Sequence, residues 1–571
     1  MKNQEVAELL NEIADILEIK NVAWKPIAYR KASRAIESLS EDIEAVYKKS
    51  GIKGLEEVPG VGESIGKKVA EFLNTGKITE LEKLKKSVPE TLLSMMEIPG
   101  LGPKKVARLY KTLKIKSLPE LEAAAKAGKI RKIEGFGEKS EEDILMGLEL
   151  VKKGRERILL SSALEISNSI VNELKKRKEV SKIEVGGSIR RRKETARDID
   201  ILVSSKNPEK VMDYFTKLPD VKTVLAKGKT KSSVVLREGV NCDLRVIEEK
   251  SYGAALAYFT GSKDFNVAMR QIAIKKGMKL SEYGLFSRKG GYICGRTEQE
   301  IFSKLGLVYA EPEMREDTSA LALKKPVNLI KYNSIRGDLH LHTRWSDGFN
   351  TTEEVVKEAV KLGYEYIAIT DHSKSEHVAN GMDEKRLRKY LDELRVLQRK
   401  YRGKMNILKG SEVDILKDGS LDYSGKILEE LDIVIASVHS GFKTPKDEMT
   451  KRIVKAINSG QINVLCHPTG RLINQRNPYD VDLDAVFEAA KKNNVAMEIN
   501  SFPSRLDLKD IHIKAAVEKG VKMAISTDSH STSHLKFIEL GIAQARRGWC
   551  GEKDIINTMK FEKLAKFLMK E

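Results

Sequence analysis

Apolar residues at helical spacing open the chain. They recur every three or four positions near the N-terminus: Val6, Leu9, Leu10, Ile13, Ile16 and Leu17. This spacing predicts an amphipathic helix, because side chains three and four residues apart share one face. The segment at 28–32, Ala-Tyr-Arg-Lys-Ala, continues the helical pattern and is basic. The N-terminal region is therefore expected to be helical.

A five-residue glycine pattern then repeats. Its copies are Val-Pro-Gly-Val-Gly at 58–62, Ile-Pro-Gly-Leu-Gly at 98–102 and Ile-Glu-Gly-Phe-Gly at 133–137, each before a helical pattern. This is the motif of helix-hairpin-helix elements, which expose backbone N–H groups at a helix N-terminus, where a DNA phosphate docks without regard to base sequence. One copy alone also fits an ordinary turn between helices, but three copies at spacings of 40 and 35 residues favour DNA binding.

The first two copies and the basic segment before them supply the candidate DNA-binding residues. These are Lys25, Tyr29, Gly60, Gly62, Gly100 and Gly102. The third copy is followed by acidic residues, namely Glu138, Glu141, Glu142 and Asp143. We therefore expect the third copy to be structural.

A glycine turn and a pair of acids lie between residues 183 and 203. A strand pattern at 183–185 leads into Gly-Gly-Ser at 186–188, and Asp198 and Asp200 open the next apolar run. Residues two apart in a strand point to one face, so the two carboxylates can lie side by side. They repel each other unless a cation lies between them, and Mg²⁺ prefers a few carboxylates together with phosphate oxygens.

The residues around this acid pair suit a bound phosphate. Glycine lets backbone N–H groups approach an anion, and further donors follow in Ser188, Arg190, Arg191 and Arg192. A third acid, Asp243, lies on another strand-like segment at 241–246. Three carboxylates that hold two metals beside a phosphate indicate phosphoryl or nucleotidyl transfer. For the acid pair alone, a glycine turn before a surface strand is the plain alternative, and these residues leave the kind of nucleotidyltransferase open.

The last third of the chain has a different pattern, which follows a segment at 311–336 with no clear periodicity that is expected to be a linker. Short apolar runs alternate with helical stretches, and the runs end in histidine or acidic residues. These residues are His340, His342, Asp371, His372, Glu412, His439, His467, Asp528 and His530. Alternating strands and helices with polar residues at the strand ends predict the active face of a β/α barrel.

Composition adds a candidate partner and supports a domain boundary. The 571 residues include 102 Lys and Arg against 83 Asp and Glu, a net charge of +19, which points to nucleic acid, although a chain this rich in charge also fits heat adaptation. Histidine is absent before His340 and all nine follow from there, which indicates metal binding by imidazole. The four cysteines form no Cys-x-x-Cys pair, so neither a disulfide framework nor a cysteine-based zinc site is expected.

The N-terminus and the apolar runs bear on location. The first helix pattern is charged and amphipathic, unlike a signal peptide, and no apolar run approaches the ~18 residues of a membrane span. We therefore expect a cytoplasmic chain with no membrane partner.

Three motifs together resemble the family X DNA polymerases. They are GGSIRRRKETARDIDILV at 186–203, NCDLRV at 241–246 and YFTGSKDFNVAMR at 258–270, and the N-terminal AYRKA and VPGVGESIGKKVAEFLNTG match the family pattern too. The resemblance covers residues 1–315. It implies that Asp198, Asp200 and Asp243 are the metal-binding carboxylates of a palm, with Mg²⁺ or Mn²⁺. It also implies nucleotide contacts by Gly187, Ser188, Arg191, Tyr258, Phe259, Gly261, Asn266 and Arg270.

The resemblance also suggests a catalytic lysine. Lyase-active relatives place a Schiff-base lysine at the position of Lys68. A lysine attacks a deoxyribose carbonyl only when its pKa is lowered, as by a neighbouring cation such as Lys67. Ser64 and Glu80 stand where such relatives carry further basic residues, so binding of a downstream 5′-phosphate is the alternative role of Lys68.

The C-terminal motifs resemble the PHP (polymerase and histidinol phosphatase) domains, with His-x-His, Asp-His, Glu, His, His-Pro and Asp-Ser-His in order. The resemblance implies these metal ligands: His340, His342, Asp347, His372, Glu412, His439, His467, Asp528 and His530. Mixed histidine and carboxylate ligation suits a cluster of Mn²⁺ or Zn²⁺. Such a cluster would hydrolyse a phosphate ester.

The sequence thus predicts a multidomain protein with an α-helical helix-hairpin-helix region, an α+β nucleotidyltransferase palm with a thumb, and a C-terminal distorted β/α barrel. The expected domains are 1–80 (lyase-like), 81–152 (fingers-like), 153–250 (palm), 251–315 (thumb), 316–336 (linker) and 337–571 (PHP). The expected function is DNA-directed gap filling in base excision repair by a monomer that binds gapped or nicked DNA and dNTPs. The PHP domain would act as a 3′–5′ exonuclease, 3′-phosphatase or abasic-site endonuclease.

Three alternatives stay open. One is a template-independent nucleotidyltransferase that acts on RNA ends. Another is a DNA-end scaffold whose two sites bind without turnover. For the last third alone, a small-molecule phosphatase is the alternative.

Overall fold

Helices form the N-terminal region, as the apolar spacing predicts. The computed structural model describes residues 2–20, 22–37, 39, 43–96, 98, 101–155 and 157–569. The helices are α1 (Lys2–Ile19), α2 (Lys25–Glu37), α3 (Ile43–Glu56), α4 (Glu63–Thr75), α5 (Thr79–Lys86), α6 (Glu90–Met95), α7 (Pro103–Leu113), α8 (Leu118–Lys126) and α9 (Glu138–Arg155), with a 3-10 turn at Ile130–Lys132. One apolar core extends from Val6 to Leu148 and joins the expected ranges 1–80 and 81–152. Neither these helices nor those in the rest of the described chain have the length and apolar character of a membrane span.

Glycines of the first two repeat copies lie directly before helices. Gly62 precedes α4 and Gly102 precedes α7, and both carbonyls accept N–H groups of the following turn. Gly60 has a φ of +86°, and a Cβ there would lie 2.9 Å from the Lys31 side chain. Gly100 lies outside the described residues. Both copies therefore have the helix N-termini that phosphate binding requires.

The third copy is held by a buried acid. The side chain of Glu141 accepts the backbone N–H groups of Ile130 and Arg131, each at 3.0 Å, and Nε of Arg131 at 2.7 Å. Glu141 is only 1% exposed. This acid thus ties the 3-10 turn to α9, which supports the structural role expected for this copy.

A mixed sheet forms the palm. Its elements are β1 (Ile158–Leu159), α10 (Leu160–Lys175), β2 (Lys182–Val185), α11 (Gly187–Arg190), β3 (Thr195–Ala196), β4 (Asp198–Ser204), α12 (Pro208–Phe215), β5 (Val221–Lys227), β6 (Lys231–Leu236) and β7 (Asn241–Ile247). The main sheet has the order β2-β4-β7-β6-β5, and β4 and β7 are its parallel pair. Its alternating apolar side chains pack against α10 and α12.

The thumb combines short helices with a small antiparallel sheet. Its elements are α13 (Tyr252–Thr260), α14 (Lys263–Lys275), β8 (Met278–Ser281), β9 (Gly284–Ser287), β10 (Tyr292–Cys294) and α15 (Glu298–Lys304), with 3-10 turns at Glu249–Ser251, Pro312–Met314 and Ser319–Ala322. Phe265 and Phe302 lie in its core. The helices therefore share a core with the segment that leads into the expected linker.

A buried ion-pair network joins the palm to the thumb. Glu298, which is 3% exposed, accepts Nη2 of Arg190 at 2.7 Å and Nη1 of Arg315 at 2.5 Å. The hydroxyl of Tyr309 donates to the same carboxylate at 3.1 Å. Burial raises the pKa of Glu298, but the two arginines outweigh it and hold the pKa at about 2.

Replacing Glu298 with glutamine is expected to lower the free energy of unfolding by about 3–5 kcal/mol, because it leaves two buried guanidinium groups without their counter-charge. Denaturant unfolding would measure the loss. The exposed Glu300 on the same helix provides the control, since Glu300→Gln is expected to change stability by no more than about 0.5 kcal/mol. Equal stabilities of the two variants would contradict the network's role.

The C-terminal region alternates strands and helices. Its strands are β11 (Gly337–Leu341), β12 (Tyr366–Ile369), β13 (Asn406–Asp414), β14 (Ile433–Ser437), β15 (Val464–Leu465), β16 (Ala496–Asn500) and β17 (Met523–Ser526). Its helices are α16 (Thr352–Lys361), α17 (Glu384–Lys400), α18 (Gly425–Leu428), α19 (Lys446–Ile457), α20 (Leu483–Lys492), α21 (Asp510–Glu518), α22 (Ile538–Arg547) and α23 (Phe561–Leu568), with 3-10 turns at Thr532–Phe537, Glu552–Asp554 and Ile556–Thr558.

These strands form a parallel, nearly closed barrel. They follow each other in chain order from β11 to β17. A bridge between Leu341 and Ser529 joins the last strand to the first, and the N–H of His342 donates to the Ser529 carbonyl at 2.8 Å. The distorted β/α barrel expected from the sequence is confirmed.

The barrel packs directly on the palm. Leu506 and Leu540 of the barrel are buried in the palm core, and Nη2 of Arg471 lies 2.8 Å from Oε2 of Glu194. The expected linker at 316–336 is irregular, but it is packed, since the N–H of Ile330 donates to the Cys550 carbonyl at 2.9 Å. Apolar contacts as well as the chain itself therefore hold the barrel to the palm.

Candidate active sites

Three acids meet on one face of the palm sheet. The parallel pairing of β4 and β7 places Asp200 directly opposite Asp243, and Asp198 lies two residues earlier on the same face. Ile199 and Cys242 are buried on the other face. The structure thus brings together the acid trio (Asp198, Asp200 and Asp243) that the sequence singles out.

The acid trio is crowded by negative charge. Burial raises the pKa of Asp200 to about 6, and the charges of Asp198 and Asp243 add to the shift. Burial alone would raise the pKa of Asp243, but hydrogen bonds from Ser233 and Lys231 outweigh burial and lower it. Nζ of Lys231 lies 2.9 Å from Oδ2 of Asp243. A half-buried carboxylate whose pKa is raised beside two other acids fits a site for divalent cations.

The glycine turn lets the backbone approach these acids. Gly187 has a φ of +61°, and a Cβ there would lie 2.7 Å from Oδ2 of Asp200. The N–H of Gly186 donates to the Asp200 carbonyl at 2.8 Å, and Ser188 follows in the short helix α11. A side chain at position 187 would therefore fill the space beside the carboxylate.

The structure corrects the expectation for Arg190. Its side chain is 14% exposed, and its guanidinium pairs with Glu298 and donates to Oγ1 of Thr260 at 2.6 Å. Arg190 is thus committed to the palm–thumb network. Its pairing partner lies 108 residues away, so the local arginine run gave no sign of this role.

Arg191 and Gly261, both predicted nucleotide contacts, lie next to each other. A Cβ on Gly261, whose φ is +69°, would lie 3.1 Å from Nη1 of Arg191. The guanidinium of Arg191 also contacts the Thr260 carbonyl, and its Nε lies 3.2 Å from Oε2 of Glu316. Arg191 is therefore held by an acid that the sequence analysis did not identify.

The aromatic pair and its polar neighbours cluster where α13 meets α14. The rings of Tyr258 and Phe259 pack edge to face, with centroids 5.1 Å apart. Nδ2 of Asn266 donates to the Tyr258 carbonyl at 2.6 Å, and Nε of Arg270 donates to the Asn266 carbonyl at 3.4 Å. The structure thus brings these predicted nucleotide contacts together.

One residue of this region escaped the sequence analysis. The guanidinium of Arg245 lies over the Phe259 ring, 4.6 Å from its centroid. A cavity of about 640 Å³ opens beside them and is also lined by Tyr283 and Phe286. Arg245 follows Asp243 by two residues in β7, a spacing that places it on the face of the acids and could have revealed it.

Lys68 does not have the environment of a Schiff-base lysine. Its Nζ lies 2.9 Å from Oε2 of Glu80 and donates to Oγ of Ser64 at 2.9 Å. Burial lowers its pKa, but Glu80 and Tyr29 outweigh this effect, so the pKa is raised. Lys67 was expected to lower the pKa of Lys68, but its Nζ lies 2.6 Å from Oε1 of Glu63. These contacts favour the alternative role of Lys68, a cation that binds a 5′-phosphate, and its role as a Schiff-base lysine stays a prediction.

Tyr29 is also corrected as a surface DNA contact. It is 5% exposed and packs in the N-terminal core, with Nζ of Lys68 5.9 Å from its ring centroid. Lys25, at the start of α2, is exposed. The basic segment therefore places its lysine in solvent and its aromatic ring in the core.

Borohydride is expected to trap little adduct between the wild-type protein and 5′-deoxyribose-phosphate DNA, because Lys68 stays protonated. Glu80→Gln removes the carboxylate that raises this pKa and should increase trapping. If Lys68 instead binds a phosphate, Lys68→Ala lowers the slope of log affinity against log salt by about one. Lys67→Ala is the matched control, and efficient wild-type trapping that Lys68→Ala abolishes would restore the catalytic assignment.

At the carboxyl ends of the barrel strands, the predicted PHP ligands surround Glu412. From its Oε2, the distances are 3.2 Å to Nε2 of His340, 3.4 Å to Nε2 of His342 and 3.1 Å to Nδ1 of His372. From its Oε1, they are 3.2 Å to Nε2 of His439 and 2.9 Å to Nε2 of His467. Glu412 is 1% exposed. A single buried carboxylate thus contacts imidazoles from several strands.

Asp347, Asp528 and His530 complete this histidine cluster. Oδ1 of Asp528 lies 3.3 Å from Nε2 of His342, and Oδ2 of Asp347 lies 3.2 Å from Nε2 of His530. Although burial opposes it, the surrounding histidines hold the pKa of Asp347 and of Asp528 below the usual range. The structure therefore brings all the predicted PHP ligands into one site.

The histidine cluster fits divalent metal ions. In the described part of the chain, several of its buried ring nitrogens have no hydrogen-bond partner: Nε2 of His340, both nitrogens of His342, Nδ1 of His372 and Nδ1 of His467. An unsatisfied polar atom in a closed site is costly. Coordination to metal would satisfy these atoms, and imidazole with carboxylate is a donor set that divalent metals bind.

Two carboxylates that orient the ligands were missed. Oε1 of Glu498 lies 2.7 Å from Nδ1 of His340, and Oδ1 of Asp414 lies 2.6 Å from Nδ1 of His439. Such partners fix the tautomer and orientation of a metal-binding imidazole. Glu498 lies within the otherwise largely apolar strand β16, and Asp414 ends β13 two residues after Glu412, positions that could have revealed both.

Family models match most of the chain. A helix-hairpin-helix domain matches residues 1–78, a SAM-like helix-hairpin-helix tandem matches 53–114 and 92–149, a DNA polymerase beta thumb matches 255–316, and a PHP domain matches 338–502. The predicted hairpin, thumb and PHP regions are thereby confirmed.

Several known proteins are similar to this chain. The DNA polymerase/3′-5′ exonuclease PolX of Bacillus subtilis is 37% identical over 573 aligned positions, covering 100% of this chain and 99% of that protein. DNA polymerase lambda of Rattus norvegicus is 26% identical over 55% of this chain and 56% of its own length. The probable phosphatase YcdX of Escherichia coli is 33% identical over 34% of this chain and 78% of its own length. With full-length identity of this extent and matches to the polymerase thumb and PHP models, the chain belongs to the family X DNA polymerases that carry a C-terminal PHP domain.

Proposed function

We propose that this DNA polymerase fills short gaps in damaged DNA, in the manner of base excision repair, and that its PHP domain processes DNA ends. The observation that carries the proposal is the pairing of Asp200 with Asp243 directly beside the turn at Gly187. It supports a reaction in which the primer 3′-hydroxyl attacks the α-phosphate of a bound dNTP and releases pyrophosphate.

The acid trio would hold Mg²⁺ or Mn²⁺ in this reaction. These cations would neutralise the charge of the triphosphate and favour ionisation of the primer hydroxyl. The contribution of the chain is positional. Asp200 and Asp243 are fixed by paired strands, while Lys231 keeps Asp243 ionised.

The glycine turn and the thumb would position the nucleotide. Gly187 lets the backbone approach the triphosphate, and Ser188 and Arg191 are assigned to contact it. Tyr258 and Phe259 would lie against the sugar, with close backbone approach at Gly261. Asn266 and Arg270 would face the base and the template groove.

The helix N-termini at the hairpin glycines would bind DNA phosphates without reading sequence. Gly60, Gly62 and Gly102 have the required position, and Lys25 would add a charge on the same side of the contact. In this assignment, residues 1–80 bind the downstream end of a gap and 81–152 bind the template duplex. The protein is proposed to act as a monomer in the cytoplasm, on gapped or nicked DNA.

The histidine cluster would hold Mn²⁺ or Zn²⁺ and hydrolyse phosphate esters at DNA ends, as a 3′–5′ exonuclease, 3′-phosphatase or abasic-site endonuclease. Bound metal would supply an activated water. Glu498 and Asp414 would hold the ligand rings in place. The Bacillus subtilis relative is named a DNA polymerase/3′-5′ exonuclease, which supports this assignment.

One assay tests both activities. Gapped, 5′-labelled DNA is incubated with Mg²⁺ or Mn²⁺, with and without dNTPs. The primer should lengthen by templated nucleotides when dNTPs are present and shorten when they are absent. Extension independent of the template would favour a template-independent nucleotidyltransferase, and no turnover with either metal would favour a non-catalytic scaffold.

A small-molecule phosphatase is the second candidate for the PHP domain, because relatives that cover only 39% and 34% of this chain are named as probable phosphatases. A nitrophenyl phosphomonoester and single-stranded DNA, compared at equal protein concentration, separate the two. Faster hydrolysis of the small ester by a wide margin would favour the phosphatase.

A further inference from the structure

An arginine of the barrel reaches the nucleotide turn of the palm. Arg547, at the end of α22, donates from Nη1 to the backbone carbonyl of Arg191 at 2.7 Å. Its side chain is 4% exposed, and Nη2 also contacts Asp510 within the barrel. A residue of the PHP domain is thus hydrogen-bonded to the residue assigned to the triphosphate.

The same arginines share one carboxylate. Oε2 of Glu316 lies 3.2 Å from Nε of Arg191 and 3.4 Å from Nη1 of Arg547, while Oε1 lies 2.6 Å from Nζ of Lys193. Burial raises the pKa of Glu316, but these cations outweigh it and hold the pKa at about 2. Glu316 is therefore an ionised acid bound to cations of the palm and of the barrel.

This arrangement creates a competition for Arg191. A triphosphate that binds the Arg191 guanidinium competes with Glu316, because both anions attract the same positive charge and Glu316 already holds its Nε. Arg547 offsets the charge of Glu316 and so weakens its hold on Arg191. It also fixes the Arg191 main chain from the other side.

We propose that Arg547 of the PHP domain is a positioning residue for nucleotide binding by the polymerase site. It acts by setting how strongly Glu316 retains Arg191. The inference rests on the proposed function, in which Arg191 contacts the triphosphate. Since Arg191 and Arg547 share the Glu316 carboxylate, removing Arg547 and removing the charge of Glu316 should change nucleotide binding in opposite directions.

Steady-state filling of a one-nucleotide gap tests this with the full-length chain, Mg²⁺ and a titration of the complementary dNTP. In Arg547→Ala, Glu316 keeps only Arg191 and Lys193 as cationic partners and should hold Arg191 more strongly. The KM for dNTP should therefore rise at least about fivefold, the lower end of typical coupling energies. Glu316→Gln releases Arg191, and the KM should fall by a similar factor. In both variants kcat should stay within about twofold, and Arg547→Lys should recover part of the lost affinity.

Arg546 provides a matched control on the same helix. Its Nε lies 2.7 Å from Oε1 of Glu313, so it also joins the barrel to the end of the thumb. Its guanidinium also donates to the Ile330 carbonyl and lies over the Tyr332 ring, so Arg546→Ala should leave the KM for dNTP unchanged. Hydrolysis of single-stranded DNA by each variant checks that the barrel is folded.

The outcomes separate this inference from the proposed function. If the wild-type protein does not extend the primer, the proposed polymerase function fails. If it does, an unchanged KM in Arg547→Ala overturns the inference, as do KM values that rise in both Arg547→Ala and Glu316→Gln, because a merely structural contact would weaken binding in both. Should Arg547→Ala fail to fold, Glu316→Gln and Arg547→Lys decide in the same way.

Discussion

Replacing Asp200 with asparagine is expected to lower nucleotide incorporation by at least about a thousandfold, because a neutral amide removes a metal-binding charge that is worth several kcal/mol in the transition state. Asp200 is the acid that the sheet places opposite Asp243 and beside Gly187. Single-turnover filling of a one-nucleotide gap measures the loss. Hydrolysis of single-stranded DNA by the PHP domain should be retained, because the two sites use separate residues.

The same substitution should stabilise the metal-free palm above pH 6. Burial and neighbouring acids raise the pKa of Asp200 from 3.8 to about 6 in the folded protein. The folded state therefore binds the proton more tightly than the unfolded state, and stability falls as the pH rises from about 4 to 6. Asparagine removes this penalty, which is at most about 3 kcal/mol.

Calorimetry with chelator at pH 4 and pH 8 checks this sign. The melting temperature of Asp200→Asn should exceed that of the wild type at pH 8 and match it at pH 4. A variant that loses activity and also melts earlier at pH 8 would indicate damage to the fold. Retained incorporation would overturn the assignment of the acid trio.

Replacing Glu412 with glutamine is expected to empty the histidine cluster and lower phosphate-ester hydrolysis by at least about a thousandfold. Both carboxylate oxygens of Glu412 contact ring nitrogens, so each metal ion bound in the cluster would lie near its charge. Metal content after dialysis, measured by mass spectrometry, and hydrolysis of single-stranded DNA are the two measurements. Gap filling should be unchanged.

Asp414→Asn is the graded comparison for Glu412→Gln. Oδ1 of Asp414 lies 2.6 Å from Nδ1 of His439, one of the predicted metal ligands, so it should act through the orientation of that ring. Loss of such a partner typically lowers metal affinity by about 10- to 100-fold. Glu412→Gln protein that retains its metal content and hydrolysis would overturn the proposed role of the cluster.

The sequence predicted those parts of the sites that depend on local spacing. Asp198 and Asp200 are two residues apart in a strand, and His340 and His342 have the same spacing, so strand periodicity alone places each pair on one face. The barrel ligands lie at the ends of apolar runs, where parallel strands bring distant residues to one edge. Those predictions needed the order of the elements but no knowledge of their packing.

Pairings between distant residues were beyond the sequence. Arg190 resembles its neighbours in the arginine run, yet Glu298, 108 residues later, binds it inside the palm–thumb interface. Lys68 reads as a nucleophile from its position, but Glu80 folds back on it from α5 and raises its pKa. Glu80 stood out in the sequence only as an acid where lyase-active relatives carry a base, and Glu298 did not stand out at all, so neither ion pair could be assigned without the fold.

The burial of Leu506 and Leu540 in the palm core has a practical consequence for dissecting the enzyme. A truncation that stops before the barrel would expose the apolar palm surface that Leu506 and Leu540 cover, and the fragment would tend to aggregate. Activity lost by such a fragment would combine a missing nuclease with a weakened polymerase scaffold. Point substitutions in the intact chain separate the two contributions.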